Sequence, residues 1–104
     1  NEVIHFDNAV KAALEFAEKD GHTLVIVTAD HETGGLAMPD NAEPYKGKIS
    51  IPRWTTKKHS PSYVPIYTYG PGSLEFTGVI DNTDICKKLS KLLNLKDFPL
   101  VIVK

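Results

Sequence analysis

Asp30 and His31 set a carboxylate beside an imidazole, and Glu32, Thr33, Gly34 and Gly35 follow directly. A carboxylate oxygen and an imidazole nitrogen together suit zinc or a similar first-row metal. Neighbours on a strand point to opposite faces, so both side chains reach one ion only where the backbone leaves β geometry. Gly34 and Gly35 permit that turn. The residues just before, Leu24-Val25-Ile26-Val27, are β-branched, short and continuously apolar. Such a run reads as a central strand covered on both faces of a parallel sheet. In open α/β sheets, ligands bind in the crevice outside the carboxyl ends of the strands, which is where Asp30 and His31 then stand. Taken singly, an Asp at a strand end also serves as a turn or cap residue, and a His after it as a solvated polar group.

The whole octapeptide Thr28-Ala29-Asp30-His31-Glu32-Thr33-Gly34-Gly35 resembles the T-A-D-H-E-T-G-G segment of bacterial alkaline phosphatases. The resemblance extends over roughly positions 1 to 95, with several motifs in the family's order. Phe6-Asp7-Asn8-Ala9-Val10 and Phe16-Ala17 match the helix before that strand. Trp54-Thr55-Thr56 leads to His59, and Val64-Pro65-Ile66-Tyr67 with Tyr69-Gly70-Pro71-Gly72-Ser73 matches the next strand and turn. Ile80-Asp81-Asn82-Thr83-Asp84-Ile85 resembles the start of the last helix. The resemblance implies that Asp30 and His31 are ligands of one zinc and His59 a ligand of another. It also implies that two ions roughly 4 Å apart clamp the phosphoryl group while a serine attacks and water later hydrolyses the phosphoserine. Glu32 and Thr33 are candidates for supporting the ligands, because metal-bound imidazoles commonly give their other N–H to a carboxylate or similar acceptor.

Two family features are missing from these residues. None of Ser50, Ser60, Ser62, Ser73 or Ser90 follows an Asp, whereas the family's nucleophile lies in an Asp-Ser-Ala type motif. The Glu-Gly-x-x-x-Asp-x-x-x-His segment, which supplies a magnesium ligand and two ligands of the first zinc, is also absent. A third departure follows His59: the family continues Thr-Gly-Glu-Asp, and this chain has Ser60-Pro61-Ser62-Tyr63. The expected reading is therefore the C-terminal part of an alkaline phosphatase, an α/β sheet flanked by helices over residues 1–104, with the metal ligands Asp30, His31 and His59 and no nucleophile. By itself it should not turn over a phosphate monoester. The parent would use zinc and magnesium and act in the periplasm or outside the cell. A phosphodiesterase or mutase of the same superfamily, or a non-catalytic self-associating module, are the alternatives.

The elements that must position these residues follow from periodicity. Phe6, Val10, Ala13, Leu14 and Ala17 form one helical stripe, expected from an Asp7 cap to about Lys19, and Gly21 can end it. A strand is expected from Thr23 to Ala29. Residues 38–48 read as a loop inserted over the crevice. Short strands are expected at Ile49–Trp54 and Val64–Tyr69, and an extended piece at Leu74–Val79. A final helix should span Thr83–Leu93, capped near Asn82, with Ile85, Cys86, Leu89, Leu92 and Leu93 inward. Phe98–Val103 is apolar and β-branched, a candidate strand or tail.

The chain has 104 residues and a net charge of −1, enough for one small core and no electrostatic case for nucleic acid. Trp54, Tyr63, Tyr67 and Tyr69 lack a basic groove beside them, so packing explains them better than base stacking. No apolar run reaches the ~18 residues of a membrane span, and the first residues are not expected to act as a signal peptide. The single Cys86 excludes an internal disulfide and suits a small packed residue. His5 and His22 read as surface residues. Apolar sheet and helix surface around Leu24–Ala29 is expected to drive self-association as a homodimer.

Overall fold

The computed structural model describes residues 1–38, 52–96 and 98. In chain order these form α1 (Glu2–Asp20), β1 (Val25–Val27), β2 (Glu32–Thr33), β3 (Leu36–Ala37), β4 (Arg53–Trp54), β5 (His59–Ser60), β6 (Tyr67–Tyr69), a 3-10 turn (Ser73–Phe76) and α2 (Asn82–Leu92). Packing separates them into two compact units, residues 29–65 and the residues on either side of that stretch.

In the flanking unit, α1 begins five residues before the expected Asp7 cap. No Gly or Pro interrupts residues 1–20, and the apolar stripe continues back through Val3, so nothing stops the helix earlier. Gly21 closes it as expected: with φ 69° it takes the left-handed conformation, and its amide donates to the Ala17 carbonyl. Ala17 is buried and Val10 half-buried, the inward side of the stripe, whereas Phe6 is 57% exposed.

β1 is shorter than the expected strand and pairs antiparallel with β6, Val25 opposite Tyr69 and Val27 opposite Tyr67. A parallel neighbour is not seen among the described residues, and all three β1 residues are half-buried. A continuous apolar run records burial and does not encode strand direction. Tyr67 and Tyr69 stand on this ladder with much of their rings in solvent, Trp54 is about as exposed as Tyr67 and Tyr63 more so, and of the expected core or edge packing none of the four aromatics shows the core form.

The expected extended piece after the Gly70–Gly72 turn is instead a 3-10 turn. Its amides bond three residues back, Ser73 to Gly70 and Glu75 to Gly72, and this rotation buries Phe76 to 2% exposure against α2. α2 starts at Asn82 because Asp81, one residue earlier than expected, is the cap: its carboxylate accepts from the Thr83 amide at 2.9 Å and the Thr83 hydroxyl at 2.7 Å. Ile85, Cys86 and Leu89 are half-buried, but Leu92 and Leu93 are exposed. Past the end of α2, Asn94 with a φ of 52° reverses the chain so that the Leu95 amide reaches the Ser90 carbonyl.

The second unit, residues 29–65, contains two short antiparallel ladders. β2 pairs with β5, Glu32 opposite Ser60 and Thr33 opposite His59, and β3 pairs with β4. Of the strand expected at Ile49–Trp54, Arg53 and Trp54 form β4, and residues 49–51 lie outside the described residues. The expected loop over 38–48 lies outside them too except for Met38, as does the expected tail except for Phe98.

Candidate metal centre

All three sequence-predicted ligands belong to the unit of residues 29–65. Asp30 and His31 occupy the bend just before β2, and His59 opens β5. The ladder brings them together. Thr33 faces His59 across it, and His31, two residues before Thr33, lies on the same face by strand alternation. Diagonal positions across an antiparallel pair are within reach of rings. The His31 and His59 imidazoles accordingly stack, with centroids 3.5 Å apart and planes inclined by 28°.

The bend solves the problem of two adjacent ligands. Asp30 Oδ1 accepts the His31 amide at 3.0 Å, turning the carboxylate towards the next residue, and Asp30 Oδ2 then lies 3.5 Å from His31 Nε2. Tetrahedral zinc with donors at about 2.0–2.2 Å separates two donor atoms by about 3.4 Å, so this spacing fits a shared ion. On the other side of the ring, His31 Nδ1 lies 3.3 Å from the Glu32 carbonyl and 3.2 Å from Thr33 Oγ1. In the tautomer with the proton on Nδ1 the ring donates to the Glu32 carbonyl, and Nε2 is then left to bind an ion beside Asp30. Thr33 thus touches the imidazole directly. Glu32 touches it through its backbone oxygen and not through its carboxylate, because its side chain lies on the opposite face of the ladder.

The carboxylate has other partners. Glu32 Oε2 accepts from the Ser60 hydroxyl, and Glu32 Oε1 accepts from the Gly35 amide at 2.8 Å. The Ser60 hydrogen bond, supported by the amides of Gly35 and Leu36 and by nearby His31, holds the Glu32 carboxyl below its ordinary value against the opposing cost of desolvation. Ser60 had no visible signal in the sequence, since its importance depends on which residue it faces.

Gly34 and Gly35 both have positive φ, 90° and 55°. The Gly34 amide donates to the Lys58 carbonyl at 3.0 Å, and its own carbonyl accepts from the Thr55 and Thr56 amides. A Cβ on Gly34 would overlap the Trp54 ring, and one on Gly35 would overlap Thr55. The glycine turn is therefore anchored to the segment that leads into β5.

Asp30 and His59 are exposed, and the His31 side chain is 39% exposed, so the donors are open to an incoming ion. Among the described residues no three His, Cys, Asp or Glu side chains gather to hold one ion; two donors converge and the third ring stacks beside them. His5 and His22 are exposed and belong to the other unit.

The alkaline phosphatase family model matches residues 1–49 and 37–95. The chain is 30% identical to alkaline phosphatase 4 of Bacillus subtilis strain 168, with 89% of this chain and 34% of the relative aligned. It is 34% identical to the alkaline phosphatase of Escherichia coli K12, with 91% of this chain and 23% of the relative aligned. It therefore spans about a third or less of the length of these relatives. The structure of alkaline phosphatase from the Antarctic bacterium TAB5 superposes with a TM-score of 0.77 at 42% identity, over 89% of this chain and 28% of that one. A mutant of the TAB5 enzyme with Mg bound in its M3 site superposes equally well, at 41% identity over 89% of this chain and 29% of the mutant. The helices and small antiparallel sheets thus match the α/β fold of the solved enzymes, and with the family model matched through the Asp30-His31 bend, β5 and the start of α2, this chain belongs to the alkaline phosphatase family.

Proposed function

We propose that residues 1–104 are the carboxyl-terminal part of a single alkaline phosphatase domain that hydrolyses phosphate monoesters, and that Asp30, His31 and His59 are its metal ligands. The observation that carries this reading is the convergence of Asp30 Oδ2 and His31 Nε2 at 3.5 Å beneath the stacked His59 ring. The donor set suits zinc, and bound zinc would polarise a phosphoryl oxygen and lower the barrier to displacement. Asp30 and His31 would hold one ion and His59 another, with magnesium held by groups outside this chain. With the His31 proton on Nδ1, donated towards Glu32 O or Thr33, Nε2 stays free to ligate.

The parent reaction in this reading passes through a phosphoserine on a serine outside these residues, since no serine here follows an Asp. The isolated chain should therefore hydrolyse an aryl phosphate no faster than buffer with the same zinc, because losing the nucleophile of a covalent mechanism costs several orders of magnitude. Turnover that copurifies with the chain and disappears in Asp30→Ala would overturn this division of labour. Action in the periplasm or outside the cell belongs to the same reading. Among the described residues no helix is long and apolar enough to cross a membrane.

A further inference from the structure

The ladder that brings His59 to His31 is two residues long on each strand. A ribbon that short has few backbone hydrogen bonds, and two-stranded pieces are marginal in water. Its register is nevertheless critical, because a one-residue slip would turn the whole strand over. His59 would then leave the face that carries His31 and Thr33.

One side chain crosses the ribbon on the far face. Glu32 stands opposite Ser60, and its two oxygens are divided between the Ser60 hydroxyl and the Gly35 amide. The same carboxylate therefore grips β5 and the glycine turn that leaves β2. That turn in turn bonds Lys58, the residue before His59. Glu32 is half-buried and its carboxylate bonds both groups without touching the donors of the metal pair.

We propose that Glu32 is a positioning residue: with Ser60 it clasps the β2–β5 register and so holds the His59 ring against His31. Slippage would leave Glu32 facing a residue without a hydroxyl, since Pro61 and His59 flank Ser60. A one-residue slip therefore leaves the carboxylate without that hydroxyl. The link to zinc affinity rests on the function proposed above, whereas the stacking of the two rings does not.

The test is made on the full chain with labelled histidine and no added metal, reading nuclear Overhauser cross-peaks between the His31 and His59 rings. The expected result is strong cross-peaks in the unsubstituted protein and in Ser60→Thr, which keeps the hydroxyl, and a several-fold loss in Glu32→Ala and Ser60→Ala. The amide resonances of α1 and α2 should stay in place. Undiminished ring cross-peaks in either alanine variant would overturn the proposal, and if Glu32→Ala fails to fold, Ser60→Ala, which removes a single oxygen, decides it. In a parallel zinc titration the alanine variants should bind about 10-fold more weakly, the scale seen for groups that support metal ligands. Absence of zinc binding by the unsubstituted protein would count against the metal reading alone, because the ring cross-peaks are measured without metal.

Discussion

At Gly34 a single hydrogen atom in place of a side chain lets the β2 turn and the segment from Trp54 to Lys58 meet. The residue is buried, its φ is 90°, its peptide groups bond Lys58, Thr55 and Thr56, and the Trp54 ring fills the space that a Cβ would need. A non-glycine residue at such a φ is strained by about 1–3 kcal/mol. Gly34→Ala is therefore expected to destabilise the unit of residues 29–65 by about that amount. Trp54 is the one tryptophan of the sequence, so fluorescence-detected unfolding reads this unit directly. An unchanged midpoint together with an unchanged emission maximum would contradict the packing described for this turn. The ligands themselves are less sensitive to such strain, since Asp30 and His59 are open to solvent.

Among the elements, α2 shows how a local charge sets stability. Asp81 caps it, and the Thr83 hydroxyl and amide hold the Asp81 carboxyl below its ordinary value. A carboxylate depressed in the fold contributes stability that is fully present above its unfolded value, about 3.9, and is lost as pH falls through the lower folded value. Asp84, held down by Lys87, adds a contribution of the same sign. Asp81→Asn keeps a good cap but removes the charge. The melting advantage of the unsubstituted protein over Asp81→Asn should accordingly be constant near neutrality and shrink below about pH 4. An advantage that grows on acidification would refute the cap assignment.

The elements also show what a sequence can and cannot carry. Helix α1 was legible from its stripe and from Gly21, and the candidate ligands were named from the Asp30-His31 pair in its octapeptide with His59 downstream. What was not legible depends on partners distant along the chain. The β1 run is apolar whichever direction its neighbour takes. Glu32 reads as a partner for His31 until the ladder places its carboxylate on the other face, towards Ser60. The 3-10 turn at Ser73–Phe76 replaces an extended piece because burying Phe76 outweighs the mild strand preference around it. Helix starts moved by a few residues where the cap that wins is set by hydrogen-bond geometry, as at Asp81.

For the molecule as a whole, the balance of surfaces is unusual. Among the described residues the buried apolar side chains are Ala17 and Phe76, while Val3, Ile4, Phe6 and Phe16 of α1 are each more than half exposed. Val10, Leu14, Val25 and Val27 with Tyr67 and Tyr69 line an open apolar groove in the same unit. Exposed apolar surface of this kind favours association. Light scattering over a concentration series should show the chain's mass rising above that of a monomer, and a strictly monomeric mass up to the solubility limit would exclude self-association.

Calorimetric titration of zinc into the chain tests most directly whether Asp30, His31 and His59 are metal ligands. Two protein donors for one ion and one for the other fall short of the three that catalytic zinc sites normally provide. The predicted result is saturable but weak binding, micromolar or weaker, with one ion lost in Asp30→Ala or His31→Ala and the other lost in His59→Ala. Titrations that show no saturable heat, or heat that is the same in all three variants as in the unsubstituted chain, would contradict it.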